Sequence, residues 1–187
     1  MVTIASLWLP ILLSAVLVFV ASSIIHMLLG YHANDFRALP DEDAFLAALG
    51  TVPIAPGDYV VPHAGSMEAM KSESYRAKVE RGPVAFFTVV DPRTVFSMGP
   101  TLAQWFVYLL VVSIFPAYLA SRMLEAGTAY LEVFRLTGTV TFAAYALALP
   151  MRSVWYKTSW STTAKSMFDA LIYALLTAGI FGWLWPA

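Results

Sequence analysis

The chain has 187 residues, of which 59% are hydrophobic and 12% are charged, and its mean hydropathy is +0.70. Soluble globular domains have roughly 45 to 50% apolar and about 25% charged residues, so this composition indicates a membrane protein. The formal net charge of −1 provides no overall attraction to nucleic acid, and the lack of cysteine excludes disulfides, thiolate nucleophiles and cysteine-ligated iron–sulfur or zinc sites.

Four stretches are apolar for about the 20 residues that a membrane-spanning helix needs. They lie near residues 4–30, 101–121, 128–149 and 164–185. The first has no basic segment before it and no small-residue cleavage site after it, so we expect a retained helix rather than a signal peptide. The predicted fold class is an all-α membrane protein with four transmembrane helices and a small α+β polar insertion between helices one and two. The predicted domains are transmembrane helix 1 in 1–30, the insertion in 31–100 and transmembrane helices 2 to 4 in 101–187.

The insertion carries most of the charge and shows alternating helix and strand signals. A helix is predicted from Pro40 to Gly50, because proline suits a first turn, acidic residues favour the positive end of the helix dipole and glycine ends helices. The segments GDYVVP and GPVAFFTVV are typical of short strands. Between them, SESYRAKVERG predicts a polar helix with Ser72 or Ser74 as its cap and Gly82 at its end.

The distribution of basic residues predicts the orientation. Four spans place both termini on one side of the membrane and the insertion on the other. Eight Lys and Arg residues lie in the insertion and in the connection between the third and fourth spans, whereas the opposite connection holds only Arg122. The positive-inside rule then places the insertion in the cytoplasm and the termini in the periplasm. A periplasmic insertion stays open as the alternative, because long loops that also carry acidic residues follow this rule weakly.

A row of small residues recurs every fourth position in the last span, at Ala170, Ala174, Ala178 and Gly182. In lipid, small residues mark surfaces where helix backbones approach closely, so this strip predicts a helix-packing interface. A matching face inside the chain is offered by Ser14, Ser22 and Gly30 of the first span, or by Ala144 and Ala148 of the third. Another polypeptide is the second possible partner of the strip.

Four charged residues fall within the predicted spans. Glu132 and Arg135 are three residues apart in the third span, and Lys165 and Asp169 are four apart in the fourth. Each pair lies on one helix face, so we expect the two members of each pair to neutralise each other. The functional alternative is a proton half-channel or a lipid-headgroup clamp, with Arg135 as the anion contact.

His26 shares a face of the first span with Ser14, Ser22 and Gly30, which predicts that it faces another helix. It is a weak candidate for cofactor ligation. A haem held by two histidines of one copy is not expected, since His32 falls past the helix end and His63 lies in the insertion. A pigment with one axial ligand stays open.

His63, Met67 and Met70 are candidates for a copper site if the insertion is periplasmic, because imidazole and thioether ligands suit Cu(I). The alternative is that the two methionines form the apolar side of a short helix. The sequence contains no HExxH, P-loop, GxSxG or Rossmann motif. We therefore predict no catalytic residue, no established metal site and no cofactor.

Five segments of the chain resemble those of a group of bacterial four-span inner-membrane proteins without an assigned activity. They are SLWLPILLSA, GPVAFFTV, WFVYLLVVS, VFRLTGTV and MFDALIYALLTAGIFGWLWP. The resemblance implies a multi-pass protein of the bacterial inner membrane. It implies no site residues.

The lack of catalytic motifs, together with the long packing face, predicts a non-catalytic accessory or scaffolding subunit of a larger membrane complex, for example an energy-transducing (respiratory or photosynthetic) one. The predicted partners are the lipid bilayer and other membrane protein subunits, without nucleic acid. One alternative is a small oligomeric transporter or channel with Glu132, Arg135 and Asp169 near its pathway. A second alternative is a membrane enzyme that acts on lipid or quinone through carboxylates of the insertion.

Overall fold

The computed structural model describes residues 2–187, which form two compact units. The helical unit contains the chain up to residue 37 and residues 99–187, and the insertion unit contains residues 38–98. Residues 31–37, which the sequence assigned to the insertion, belong to the helical unit. This difference matters because that short segment carries part of the candidate site.

The described part of the helical unit contains four helices that are long and apolar enough to cross a membrane, as the sequence predicts. The candidate spans are Ile4–Met27, Met98–Met123, Tyr130–Tyr156 and Trp160–Trp183. Their regular helices are α1 (Trp8–Met27), α5 (Met98–Met123), α6 (Tyr130–Ala146), α7 (Pro150–Tyr156) and α8 (Trp160–Trp183). The protein is therefore a multi-pass membrane protein by the length and composition of its helices.

The span boundaries differ from the sequence prediction by a few residues, and two of these differences change the assignment of predicted residues. The first helix ends at Met27, and Gly30 follows in a turn with φ +64°, where a Cβ would meet no atom within 4 Å. Gly30 is thus not a packing residue of the first span, and its prediction as one is wrong. The third span continues beyond residue 149, because Pro150 fits the first turn of α7, and the connection to α8 shortens to three residues after Tyr156.

Helix α8 is the central element of the helical unit and packs against both α6 and α1. Near the membrane side where α1 ends, buried residues of α1, α5, α6 and α8 form one cluster that includes Val18, Leu109, Tyr145 and Tyr173. Near the opposite side, Leu7, Val133 and Phe181 form a second cluster with neighbouring residues. Close packing of this kind holds helices together in lipid, where apolar burial provides no driving force.

The small-residue strip of α8 faces α6. Ala170, Ala174 and Ala178 are buried, and a Cβ added to Gly138 of α6 would lie 3.1 Å from the Cβ of Ala178. A Cβ added to Gly182 would lie 2.7 Å from the ring of Tyr130, at the start of α6. The partner of the strip is therefore the third span of the same chain.

The face of α6 that meets the strip differs from the predicted one. Ala144 and Ala148, proposed as a matching pair, are exposed. Thr137 and Thr141 are buried instead, with their hydroxyls donated to the backbone carbonyls of Val133 and Thr137. A threonine that bonds its own helix in this way presents no unsatisfied polar group to its neighbour, so it serves as a small packing residue.

The insertion unit contains the predicted small sheet and the predicted helices. Its elements are α2 (Glu42–Gly50), β1 (Gly57–Val61), α3 (Glu73–Arg81), β2 (Ala85–Val89) and α4 (Pro92–Val95), with a 3-10 turn at Ala69–Lys71. Asp41 caps α2 by accepting a hydrogen bond from the Ala44 amide, and Ser72 caps α3 by accepting one from the Tyr75 amide. Strands β1 and β2 pair antiparallel, with Tyr59 opposite Phe87.

None of residues 38–98 is buried. A two-stranded hairpin is marginally stable in water by itself, and a unit of about sixty residues has little apolar surface to bury. The insertion unit accordingly has regular secondary structure and capped helices but no hydrophobic core.

Candidate functional site

A polar cluster lies where α1 ends and α8 begins. After Met27, the chain turns through Gly30, whose carbonyl accepts a hydrogen bond from the Ala33 amide, and then through His32, whose carbonyl accepts one from the Asp35 amide. These two tight turns bring the side chains of Tyr31, His32 and Asp35 back against α8. A glycine at φ +64° suits this reversal because it has no Cβ to clash with the backbone.

Lys165 and Asp169 reach this cluster from one face of α8. The Lys165 ammonium donates to Asp35 Oδ1 at 2.7 Å, and Asp169 accepts hydrogen bonds from Tyr31 and His32. The predicted neutralisation of Lys165 by Asp169 is therefore wrong. Both residues are one helical turn apart as expected, but each has a closer partner from the turn after α1.

His32 connects the two carboxylates. Its Nδ1 lies 2.6 Å from Asp35 Oδ2, and its Nε2 lies 2.8 Å from Asp169 Oδ2. An ionised carboxylate only accepts hydrogen bonds, so both contacts are satisfied when His32 carries two ring protons. The cluster then holds two negative charges, on Asp35 and Asp169, and two positive charges, on His32 and Lys165, and it is neutral.

Burial makes this neutrality important. The side chains of Asp35 and Asp169 are only 9% and 5% exposed, and that of His32 is 13% exposed. Charges removed from water in this way need partners with good geometry. Each carboxylate has one oxygen on His32 and its other oxygen on a second donor, which is Lys165 for Asp35 and Tyr31 for Asp169.

The electrostatics of the turn follow from these contacts. The hydrogen bond from Lys165 and then that from His32 hold the pKa of the Asp35 carboxyl below its usual range. Burial, followed by the hydrogen bond to and the charge of Asp169, raises the pKa of the Tyr31 hydroxyl. Tyr31 is therefore a hydrogen-bond donor and Asp35 an ionised acceptor at neutral pH.

His26 lies beside this network and leaves one ring nitrogen free of a hydrogen bond within the described chain. Its ring stacks on that of His32, with centroids 4.6 Å apart and an interplanar angle of 8°. Its Nδ1 donates to the Ser22 carbonyl at 2.9 Å, since a carbonyl only accepts, and Nε2 is thus the unprotonated nitrogen of the neutral ring. One ligand atom each from His26, His32 and Asp169 lies within 4.8 Å of the others.

Ser14 and Ser22, which share a helix face with His26 in the sequence, are both buried. The Ser22 hydroxyl donates to the Phe19 carbonyl and accepts from Trp105 Nε1 of α5 at 3.0 Å, so it ties α1 to α5 next to the cluster. The Ser14 hydroxyl has no hydrogen-bond partner within residues 2–187. The prediction that this helix face packs against another helix is thus partly correct. Ser14 and Ser22 are buried, whereas His26 is exposed at the helix end.

The other predicted charged pair is not assembled. Glu132 and Arg135 are both exposed, and no ion pair joins them in the described chain. They lie at the start of α6, which the alternation of spans places at the membrane side opposite to the cluster. The predicted neutralisation within this pair therefore has no structural counterpart.

The copper candidates of the insertion are also dispersed on the surface. His63, Met67 and Met70 are exposed, and His63 makes no hydrogen bond or ion pair within residues 2–187. Met70 lies within the 3-10 turn Ala69–Lys71, and Met67 lies before that turn, so the two methionines do not share a helix. The three side chains show no arrangement that distinguishes them as ligands.

Comparison with models of protein families, with curated proteins and with solved structures gives no match for this chain. The similarity to bacterial four-span proteins therefore stays a prediction.

Sequence reasoning missed three members of the cluster, namely Tyr31, His32 and Asp35. His32 was set aside because it falls beyond the first helix. One signal was present in Gly30, because a glycine just past the end of a helix favours a change of chain direction. The partner on α8 had no comparable local signal.

Proposed function

We propose that this protein is a non-catalytic accessory subunit of a larger membrane assembly, and that its insertion unit docks onto a soluble part of a partner subunit. The observation that carries the proposal is that none of residues 38–98 is buried. A folded unit with strands, capped helices and no core gains its missing apolar contacts by binding another surface.

One face of the sheet is suited to such binding. Tyr59, Val61, Ala85, Phe87 and Val89 share this face, which we call the apolar sheet face. The rings of Tyr59 and Phe87 stack with centroids 5.6 Å apart, and Val61 is 46% exposed. Aromatic residues that are already held in place bind a partner at little cost in conformational entropy.

Charge favours a protein partner over the lipid surface. Residues 38–98 contain eight Asp and Glu against five Lys and Arg, a formal charge of −3. Anionic headgroups attract basic segments and repel acidic ones. A protein surface with an apolar centre and a basic rim is complementary to the insertion unit, so we assign the apolar sheet face to a partner subunit.

The strip of α8 does not support this proposal, because it is covered by α6 of the same chain. The alternative of a small oligomeric transporter has less support: Glu132 and Arg135 start the third span, whereas Asp169 lies near the opposite membrane side. For a lipid or quinone enzyme using the insertion, the described residues offer no group of three converging His, Asp or Glu side chains outside the cluster of the helical unit.

Photo-crosslinking in the native host tests the docking. A photoreactive residue at Val61 points from the apolar sheet face, and the matched control at Asp58 points from the opposite face, where Asp58 accepts a hydrogen bond from Thr88. We expect a discrete protein adduct from position 61, none from position 58, and loss of the adduct when Phe87→Glu is added at an unchanged level of membrane-inserted chain. Adducts with lipid alone, or equal adducts from both positions, would contradict the proposal.

We place this assembly in the cytoplasmic membrane of a bacterium, with the insertion unit in the cytoplasm. The Lys and Arg residues of the insertion and of the connection before α8 support this orientation. Because the chain has no cysteine, Ser74→Cys creates a single thiol on the exposed surface of α3. We expect this thiol to react with an impermeant reagent only after cell lysis, and a cysteine added after Ala187 to react in intact cells. The reverse pattern would overturn the orientation.

A further inference from the structure

The polar cluster of the helical unit contains more ionisable side chains than are needed to hold two helices together. We propose that His26, His32 and Asp169 form a binding site for a divalent transition-metal ion such as Zn²⁺. This inference does not depend on the docking of the insertion unit, because all three residues belong to the helical unit.

The donor set agrees with the chemistry of such ions. Imidazole nitrogens and a carboxylate oxygen are ligands that Zn²⁺ and neighbouring first-row ions accept, and three protein ligands leave one position of a tetrahedral site open. The three ligand atoms lie within 4.8 Å of one another. In a tetrahedral site with bonds of about 2.0 to 2.1 Å, two ligand atoms stand roughly 3.3 Å apart. The most distant pair therefore needs to close by up to about 1.5 Å, and His32 Nε2 and Asp169 Oδ2, which lie 2.8 Å apart without the ion, need to separate by about 0.5 Å.

The ligands are oriented by hydrogen bonds on their far atoms. His26 Nδ1 donates to the Ser22 carbonyl, and His32 Nδ1 lies 2.6 Å from Asp35 Oδ2. Tyr31 donates to Asp169 Oδ1. These contacts leave Nε2 of both histidines and Oδ2 of Asp169 as the ligand atoms. Because the two rings stack nearly parallel, the exposed His26 ring has to turn out of the stack to bring its in-plane lone pair onto the ion. Histidine ligands in metal sites are characteristically held by such a bond to a carbonyl or carboxylate.

The charge of the cluster also fits a cation. Asp35, Asp169 and Lys165 together carry one net negative charge. A divalent ion bound by His32 Nε2 and Asp169 Oδ2 therefore leaves a net charge of +1. An anionic fourth ligand, such as hydroxide or an external carboxylate, restores neutrality, so we expect the open position to favour anions.

Access to the site is provided by His26, the exposed member of the three. Its imidazole is bound to the rest of the cluster only through ring stacking and its bond to the Ser22 carbonyl. His26→Ala therefore removes one ligand and leaves the bonds of His32, Asp35, Lys165 and Asp169 in place. This variant separates metal binding from the structural role of the charge network.

The test is titration of the purified full-length protein in mild detergent, after removal of any affinity tag, with Zn²⁺ by calorimetry and with Co²⁺ by its visible absorption. We expect one ion per chain. His26→Ala should raise the dissociation constant at least about tenfold, as loss of a ligand does, and Asp35→Asn should raise it about 10- to 100-fold through misorientation of His32. His63→Ala, in the insertion unit, should leave the affinity unchanged.

Size-exclusion and thermal unfolding profiles without metal establish that His26→Ala is folded. The proposal is overturned if the wild-type protein binds less than one ion per chain, or if it and His26→Ala bind with equal affinity. It is also overturned if His63→Ala abolishes binding, because the ion would then belong to the insertion. In that last outcome the docking of the apolar sheet face would still stand, since its crosslinks do not involve metal.

Discussion

Phe181 in the helical unit is fully buried, whereas Phe45 in the insertion unit is 47% exposed. The same contrast runs through both units: α1, α5, α6 and α8 share a core and a satisfied charge network, and residues 38–98 include no buried side chain. The buried faces of the membrane helices are covered within this chain. The insertion unit has the local features of a folded structure without a buried core, which is the reason that we propose a partner surface for it.

The largest expected difference between the two units concerns their aromatic residues. Phe181→Ala should lower the free energy of unfolding in mild detergent by about 3 kcal/mol. This value is near the lower end of the range for truncation of a buried phenylalanine, because lipid already provides an apolar environment for the unpacked helices. Phe45→Ala should change it by less than about 0.5 kcal/mol. Chemical denaturation of both purified variants measures the difference, and similar losses would show that the insertion unit has a core.

The second expected effect compares the two charged groupings of the spans. Asp35→Asn leaves Lys165 and His32 without one carboxylate, and we expect a loss of about 2 kcal/mol. This value is below the usual cost of breaking a buried pair, because the Lys165 side chain is 27% exposed and gains water. Glu132→Gln removes an exposed carboxylate and should cost less than about 0.5 kcal/mol.

Lys165→Met added to Asp35→Asn should restore part of the loss, since it removes the uncompensated ammonium. A double variant as unstable as Asp35→Asn alone would argue against a structural ion pair. Equal costs for Asp35→Asn and Glu132→Gln would show that the cluster contributes no more than surface charge.

The smallest of these effects concerns the strip of α8. Ala174→Ile places a branched side chain between α8 and α6, and we expect a loss of about 1 kcal/mol in the purified chain from overpacking. Leu175→Ile changes an exposed neighbour about 100° around the helix and should have little effect. If Ala174→Ile is as stable as Leu175→Ile, the helices do not meet at this strip.

The sequence predicts the spans and most insertion elements because their causes are local. Runs of about 20 apolar residues, an Asp or Ser before a helix, and β-branched residues between glycine and proline are visible within a few positions. The two span boundaries that were predicted wrongly also depend on single nearby residues. Gly30 ended the first span early, and Pro150 began a further helix instead of a loop.

The candidate site is different because its members are far apart in the chain. Asp35 and Lys165 are 130 residues apart, and His32 and Asp169 are 137 apart. The rule that residues four apart on a helix pair with each other predicts Lys165 with Asp169, and tertiary partners with better geometry override it. The strip of α8 was recognised from its spacing, but that spacing does not specify which helix covers it.

Amide hydrogen exchange most directly tests whether the insertion unit depends on a partner. Exchange of β1 and β2 is compared in native membranes and in the purified full-length chain, with the centre of α8 as the internal reference. We predict slow exchange of both strands in native membranes, rapid exchange after purification, and slow exchange of α8 in both states. Strands that stay as protected as α8 in the purified chain would contradict the account, because the insertion unit would then be stable without a partner.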